Sequence, residues 1–338
     1  MAGSGRAPDR PSGHLPVRRP YSLRRTSSIE TSWPEGRGGP MRMQGLARDL
    51  VTGPSLHESA VVGLGRFELL ASASRQILSI KSEPRLSGLE GLVGVRAGGQ
   101  SRAAIEALLA ANDGLGDPLH LLLDDFAGAS LVAGWAWSRW AESDDPSARQ
   151  SEVRRPPRME GICAGFRPGA SSLTEDGRPR QDIQSSAYVS PLTHRDDPDG
   201  WHSPEVQEGT GMRRARWIDV WSETEDIRIE AGFQDSASDP SGARIAIHEY
   251  LVSARADARG ERLVALSADP RVLPYRECPV AAGNIGRLIG RSLESFRSAV
   301  LAELPGTLGC THLNDVLRAL ADVPRLCLML ERHTAHAR

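Results

Sequence analysis

Apolar and polar residues alternate over residues 41–51, 59–71 and 76–81, and again over 227–235, 243–256 and 261–268. A period of two turns one face of each segment toward a core, so these stretches predict half-buried β-strands. Between the last two, Asp257-Ala258-Arg259-Gly260 predicts an Asp/Gly turn. The period then lengthens. Residues 281–289 and 293–304 carry apolar positions at helical spacing, and 312–331 predict a last helix, capped by Thr311 and kinked at Pro324. The helices need a partner for their apolar stripes, and the strands need cover on one face. The fold class that satisfies both is α+β.

The pattern repeats. Arg24-Arg25-Thr26 leading to Ile29 and Trp33 parallels Arg213-Arg214-Ala215 leading to Ile218 and Trp221. Met41 to Gln44 with Asp49 parallels Ile227 to Glu230 with Asp235. Ser82-Glu83-Pro84-Arg85 after one apolar run parallels Ala268-Asp269-Pro270-Arg271 after another, and Leu92-Val93-Gly94 parallels Leu288-Ile289-Gly290. Matches in the same order at a nearly constant offset predict two similar units of antiparallel strands followed by helices, an internal duplication. The units are placed at residues 22–140 and 212–332. Residues 1–21 are expected to be a disordered tail. Residues 141–211 are expected to be a long irregular linker, because their Pro, Gly and charge content leaves too little apolar surface to offset ordering entropy. Trp201, costly to leave exposed, is its expected anchor.

Composition changes this picture little. The chain has 338 residues, 39% hydrophobic and 25% charged, with a formal net charge of -2. Such a chain is long enough for two domains and has no global basic field, so no nucleic acid is expected as a partner. Lys81 is the only lysine among many arginines, as a GC-rich coding bias would produce. No run is apolar enough for a membrane span or a signal peptide, and the expected location is the cytoplasm. Cys163, Cys278, Cys310 and Cys327 are then core residues, metal ligands or reactive thiols rather than a disulfide framework.

Two thiols stand out. Cys310, in Gly309-Cys310-Thr311-His312-Leu313, and Cys278, before Pro279, both open helical segments. A helix N-terminus presents free N–H groups and the positive end of a dipole, which favours thiolate. His312 adjoins Cys310, and His248 lies on a predicted strand with Ala246 and Tyr250 on its face. Cys278, Cys310, His312 and His248 are the expected metal ligands, for zinc or an iron–sulfur cluster. Asp235 is a weaker candidate. The competing reading makes Cys278 and Cys310 buried structural cysteines. Asp124-Asp125 and Asn314-Asp315 read as helix-end chemistry, Cys163 as a linker residue and Cys327 as core. The first unit holds no cysteine at the place of Cys310, so it is expected to be degenerate, with no thiol site.

The run Gly309–Leu313, with Cys278-Pro279 upstream and Arg24 to Ile29 near the start, resembles an uncharacterised bacterial domain-of-unknown-function family with a C-terminal GCTHL signature. A more distant resemblance is to U-type iron–sulfur cluster scaffold proteins, in which antiparallel strands precede helices and three cysteines are ligands. That resemblance implies comparable places for His248, Cys278 and Cys310. It departs in having His248 where the scaffold has a cysteine, and in lacking the scaffold's early glycine-rich cysteine turn. The functional expectation is a metal- or cluster-binding accessory protein. The alternatives are a cysteine-dependent enzyme using Cys310 or Cys278 as nucleophile, and a non-catalytic interaction protein with structural cysteines.

Overall fold

The structure is a computed structural model, and it describes residues 6–141, 156–202 and 208–335. Among the described residues, nine strands form one antiparallel sheet. In chain order they are β1 (Ser22–Ser32), β2 (Met41–Thr52), β3 (Ser59–Ala71), β4 (Ile77–Glu83), β5 (Ala187–Val189), β6 (Gly211–Glu223), β7 (Asp226–Ser238), β8 (Arg244–Ala256) and β9 (Leu263–Val272). Their order across the sheet is β4-β3-β2-β1-β6-β7-β8, with both β5 and β9 on β8. Helices α1 (Gly99–Ala110), α2 (Pro118–Val132), α3 (Ala136–Arg139), α4 (Phe296–Glu303), α5 (Thr311–Ala319) and α6 (Val323–Ala335) complete the α+β fold.

The strand groups β1–β4 and β6–β9 are alike, compatible with two units, and the likeness reaches single residues. β2 pairs with β3 with a register irregularity just after Asp49, and β7 pairs with β8 with one just after Asp235. The two groups join through β1 and β6, which pair along their whole length. Neither of these two strands is foreshadowed by alternation. Residues 22–31 of β1 are buried on both faces, although most of them are Arg, Ser, Thr or Glu. With no exposed face there is no period of two, and the polar residues are buried because they are paired.

One face carries the helices. Leu23, Ile218, Val252, Phe296, Val316 and Leu326 belong to the core of the second group, and Ile29, Phe67, Ile105 and Phe126 to that of the first. The expected helix at 281–289 is a 3-10 helix, Cys278–Leu288. The last helix is broken at Leu320–Asp322, and Pro324 sits in the first turn of α6, where a missing N–H costs nothing. Cys310, rather than Thr311, occupies the N-cap position of α5. The Asp257–Gly260 turn is as expected, with Gly260 in the left-handed region at φ 69°.

The other face is covered by chain expected to be irregular. Residues 8–20 are not a disordered tail. Leu273 N–H donates to the Pro8 carbonyl (3.0 Å), Leu15 N–H to the Leu192 carbonyl (3.0 Å), and Arg18 pairs with Asp197 at 2.7 Å, fully buried. Leu15, Leu192 and Trp201 pack on Ala215 and Trp217 of β6. The covering segments order because β1 and β6 would otherwise expose this apolar face and the Arg24–Asp219 pair (2.6 Å). Trp201 is the anchor, at 5% exposure. Over its described residues the linker region is mostly turns and single-turn helices, apart from β5. The first five residues of the tail and residues 142–155 and 203–207 of the linker lie outside the described residues. No described helix is long and apolar enough to cross a membrane.

Candidate functional site

Arginines entering the central strands set the frame of the site. Arg25 of β1 faces Asp49 of β2 and binds both its oxygens (2.6 and 2.7 Å), and Arg214 of β6 binds both oxygens of Asp235 of β7 (2.9 and 3.0 Å). Such forked pairs are the geometry guanidinium and carboxylate prefer. Each arginine then reaches into the helix layer, Arg25 to Asp322 (2.8 Å) and Arg214 to Asp315 (3.0 Å). Asp124 and Asp125 belong to the same buried layer, bonded to Arg318 (2.6 Å) and Arg216. They and Asp315 are structural counter-charges rather than helix-end ornaments. Burial pushes the Asp125 carboxyl up to about 6, against the pull of Arg216 and Arg214.

The two frames differ at one position. Opposite Asp235 stands His248, and opposite Asp49 stands Gly63. A Cβ on Gly63 would lie 2.8 Å from Asp49 Oδ2 and 3.1 Å from Pro118 Cγ, so the first unit has no room for a side chain there. In the second unit the space is open, and His312, from the first turn of α5, enters it. The His248 and His312 rings stack at 3.5 Å between centroids, 19° from parallel. His248 Nδ1 lies 3.4 Å and His312 Nε2 3.8 Å from the same oxygen, Asp235 Oδ2. Among the described residues, this is the set of His, Cys and acidic groups whose ligand atoms all lie within 4.8 Å of one another.

The electrostatics suit ligation. Burial holds His248 below the ordinary imidazole range against the opposing pull of Asp235. It holds His312 well below that range, with help from the neighbouring His248. Both rings are therefore neutral near pH 7, as ligands must be. Burial pushes the Asp235 carboxyl up, but Arg214 and the His248 hydrogen bond outweigh it and keep the group ionised. Apart from its long contact to Asp235, His248 Nδ1 is buried without a hydrogen-bond partner, as are Arg216 Nη1 and Arg318 Nε in the same layer.

The thiols form a neighbouring cluster. Cys310 Sγ lies 4.0 Å from His312 Nδ1. The helix terminus acts as expected, since the N–H groups of Leu313 and His312 lower this thiol, but burial comes first and the thiol stays raised. Cys278 is raised well above its ordinary value by burial and then by Cys310 and Cys163. The expected thiolates are thus buried thiols, 4% and 6% exposed, within the apolar core. Cys327 is core too, raised to about 12.

His248 and His312 meet directly, Cys310 adjoins them, and Cys278 lies outside their ligand set. Asp235 is the missing partner that links the imidazoles, and its signal in the sequence was its parallel with Asp49. Cys163 is no bystander in a linker, because its segment packs against Cys278. No sequence period announces that contact.

The family described as "Protein of unknown function (DUF2889)" matches residues 212–325, the stretch that carries Asp235, His248, Cys278, Cys310 and His312. No curated protein and no solved structure shows significant similarity to the chain. Over those residues the chain is similar to an uncharacterised domain-of-unknown-function family.

Proposed function

We propose that this protein is a metal-binding accessory protein whose site is Asp235, His248 and His312. The observation that carries the reading is two neutral, stacked imidazoles aimed at one oxygen of a buried, ionised carboxylate. Two histidines and a carboxylate suit zinc with an open fourth position, or ferrous iron. The residues fit such an ion. His248 Nδ1 lacks a sound partner that an ion would supply, and Arg214 fixes the carboxylate from behind as an outer-shell group does. The first unit supports the reading by contrast. It keeps the Arg–Asp pair and stands complete with Gly63 in place of the histidine, so the imidazole pair is not needed for the frame. An iron–sulfur cluster draws on thiolates, and Cys278 lies outside the ligand set, so a mononuclear ion is the stronger reading.

The test is calorimetric titration of metal-free protein with Zn(II) and, anaerobically, Fe(II). An equivalent that the wild type takes up and that is missing from both His248→Ala and His312→Ala supports the reading, whatever the thiols take up besides. No uptake of either ion, or uptake unchanged in both variants, overturns it.

One observation favours a second reading, a cysteine-dependent enzyme. Cys310 Sγ lies 4.0 Å from His312 Nδ1, and Asp235 Oδ2 lies 3.8 Å from His312 Nε2, so the imidazole stands between a thiol and a carboxylate. It ranks lower because the thiol is raised by burial and almost closed to a substrate.

A further inference from the structure

We propose that Cys163, Cys278 and Cys310, beneath the Tyr250 hydroxyl, form a second site, one for a soft, thiophilic metal ion. The inference goes beyond the imidazole site and stands on different atoms. The three cysteines come from three separate pieces of chain. Cys310 caps α5 and Cys278 opens the 3-10 helix Cys278–Leu288. Cys163 arrives on the covering segment, where the next residue, Ala164, donates its N–H to the Gly309 carbonyl at 2.8 Å. That bond places Cys163 beside the residue preceding Cys310.

Gly165 closes the arrangement. The position a Cβ would take there is 2.7 Å from Cys278 Sγ and 3.7 Å from Cys163 Sγ, so the backbone approaches both sulfurs from the side a larger residue would fill. Above the sulfurs stands Tyr250, on the same face of β8 as His248. It is wholly buried, and Cys310 is the thiol close enough to engage its hydroxyl. The titratable groups around that hydroxyl are the three thiols, Cys310 first. The surroundings are otherwise apolar, with Phe166, Leu313 and Ala281 in the same core.

The donor set names the ligand class. Three sulfurs and a phenol, with no carboxylate among them, select a soft ion over magnesium or calcium. The sulfurs do not meet the 4.8 Å spacing that the imidazole set does. Closing on one ion, at about 2.3 Å per bond as for zinc, requires a thiol to turn about its χ1 angle. Binding replaces S–H by S–metal bonds and releases the thiol protons to solvent.

Cadmium ion is the probe, because its bond to thiolate absorbs in the ultraviolet while its bonds to imidazole and carboxylate do not. Reduced, metal-free protein titrated with Cd(II) is expected to show that absorption, saturating at one equivalent, with release of protons. His248→Ala/His312→Ala should keep it, which separates this site from the imidazole site. Cys163→Ser should weaken the absorbing equivalent more than about tenfold while Zn(II) uptake by the imidazole site persists. Absence of the absorption in the wild type, or its persistence unchanged in both Cys163→Ser and Cys278→Ser, overturns the proposal. If a serine variant fails to fold, alkylation of the wild type in mild denaturant, read by mass spectrometry, decides. Cadmium should shield Cys163, Cys278 and Cys310 but not Cys327. Equal labelling of all four with and without cadmium refutes the site.

Discussion

Gly128→Ala should destabilise this protein although it replaces a glycine in the middle of a helix. In an ordinary exposed helix the change is worth about 1 kcal/mol of added stability. Gly128 lies within α2, over the Arg214 guanidinium, and an added Cβ would clash with Nη1 and with Asp315 Oδ2 and lie 2.8 Å from Cζ. A flexible side chain would step aside cheaply. Arg214 is not free to do so, because it is 1% exposed and held by Asp235 (2.9 and 3.0 Å) and Asp315 (3.0 Å). Displacing it breaks charge-assisted bonds worth roughly 1.5–3 kcal/mol each. It also leaves buried carboxylates uncompensated, for which breaking a buried pair costs about 3–5 kcal/mol. Losing one of the contacts and gaining the helix propensity leaves a net loss of roughly 0.5–2 kcal/mol, and losing the Asp235 fork about 2–4 kcal/mol. Urea unfolding followed by far-ultraviolet circular dichroism measures it, with Gly134→Ala, whose Cβ would meet nothing within 4 Å, as the control. The unfolding midpoint should fall for Gly128→Ala and stay level or rise slightly for Gly134→Ala. A Gly128→Ala protein as stable as the control would refute the claim that Arg214 is locked.

Further outcomes are expected elsewhere. Asp235→Asn should lose Zn(II) uptake and cost about 3–5 kcal/mol by leaving Arg214 unbalanced, whereas Gln substituted for His248 should lose the metal with a much smaller change in urea midpoint. Stability should fall as pH drops from 6.5 toward 4. Burial, helped by nearby arginines, holds His202 at about 3 and His120 at about 4, so both rings bind protons in that window only on unfolding. Asp125, raised to about 6, opposes with one proton, since its contribution is present at low pH and lost as pH rises through 6. The net loss is at least about 1.4 kcal/mol per pH unit, and His202→Gln should flatten it by about one proton when urea midpoints are compared across pH. Trp201→Ala should cost about 3–5 kcal/mol and hasten trypsin cleavage after Arg18 or Arg195, because Trp201 holds the covering segments on β6. Unchanged proteolysis would show that those segments stand without it.

The alternating strands β2, β3, β7, β8 and β9, the turn at Gly260 and the likeness of the two units follow from the sequence alone, because each depends on neighbours a few positions away. A half-buried strand shows its period, and a duplicated unit repeats it. The same local logic placed Cys310 at a helix start and correctly assigned it the lowering effect of the helix N–H groups. What it did not contain is burial, which decides the thiol's state and depends on α5 lying beneath β8. β1 and β6 were invisible for a related reason. Both are buried on both faces over most of their length, and β1, built largely from arginine and hydroxyl residues, is a central strand because Arg25 finds Asp49 24 positions away and Asp322 297 positions away, as Arg214 of β6 finds Asp235 and Asp315. The imidazole pair is likewise a product of folding, since His248 and His312 meet only where α5 crosses the bulge after Asp235. The covering of the second face by residues 8–20 and 190–202, and the approach of Cys163 to Cys278, are tertiary decisions too. Segments with no periodic apolar face order only when a preformed surface supplies their partners.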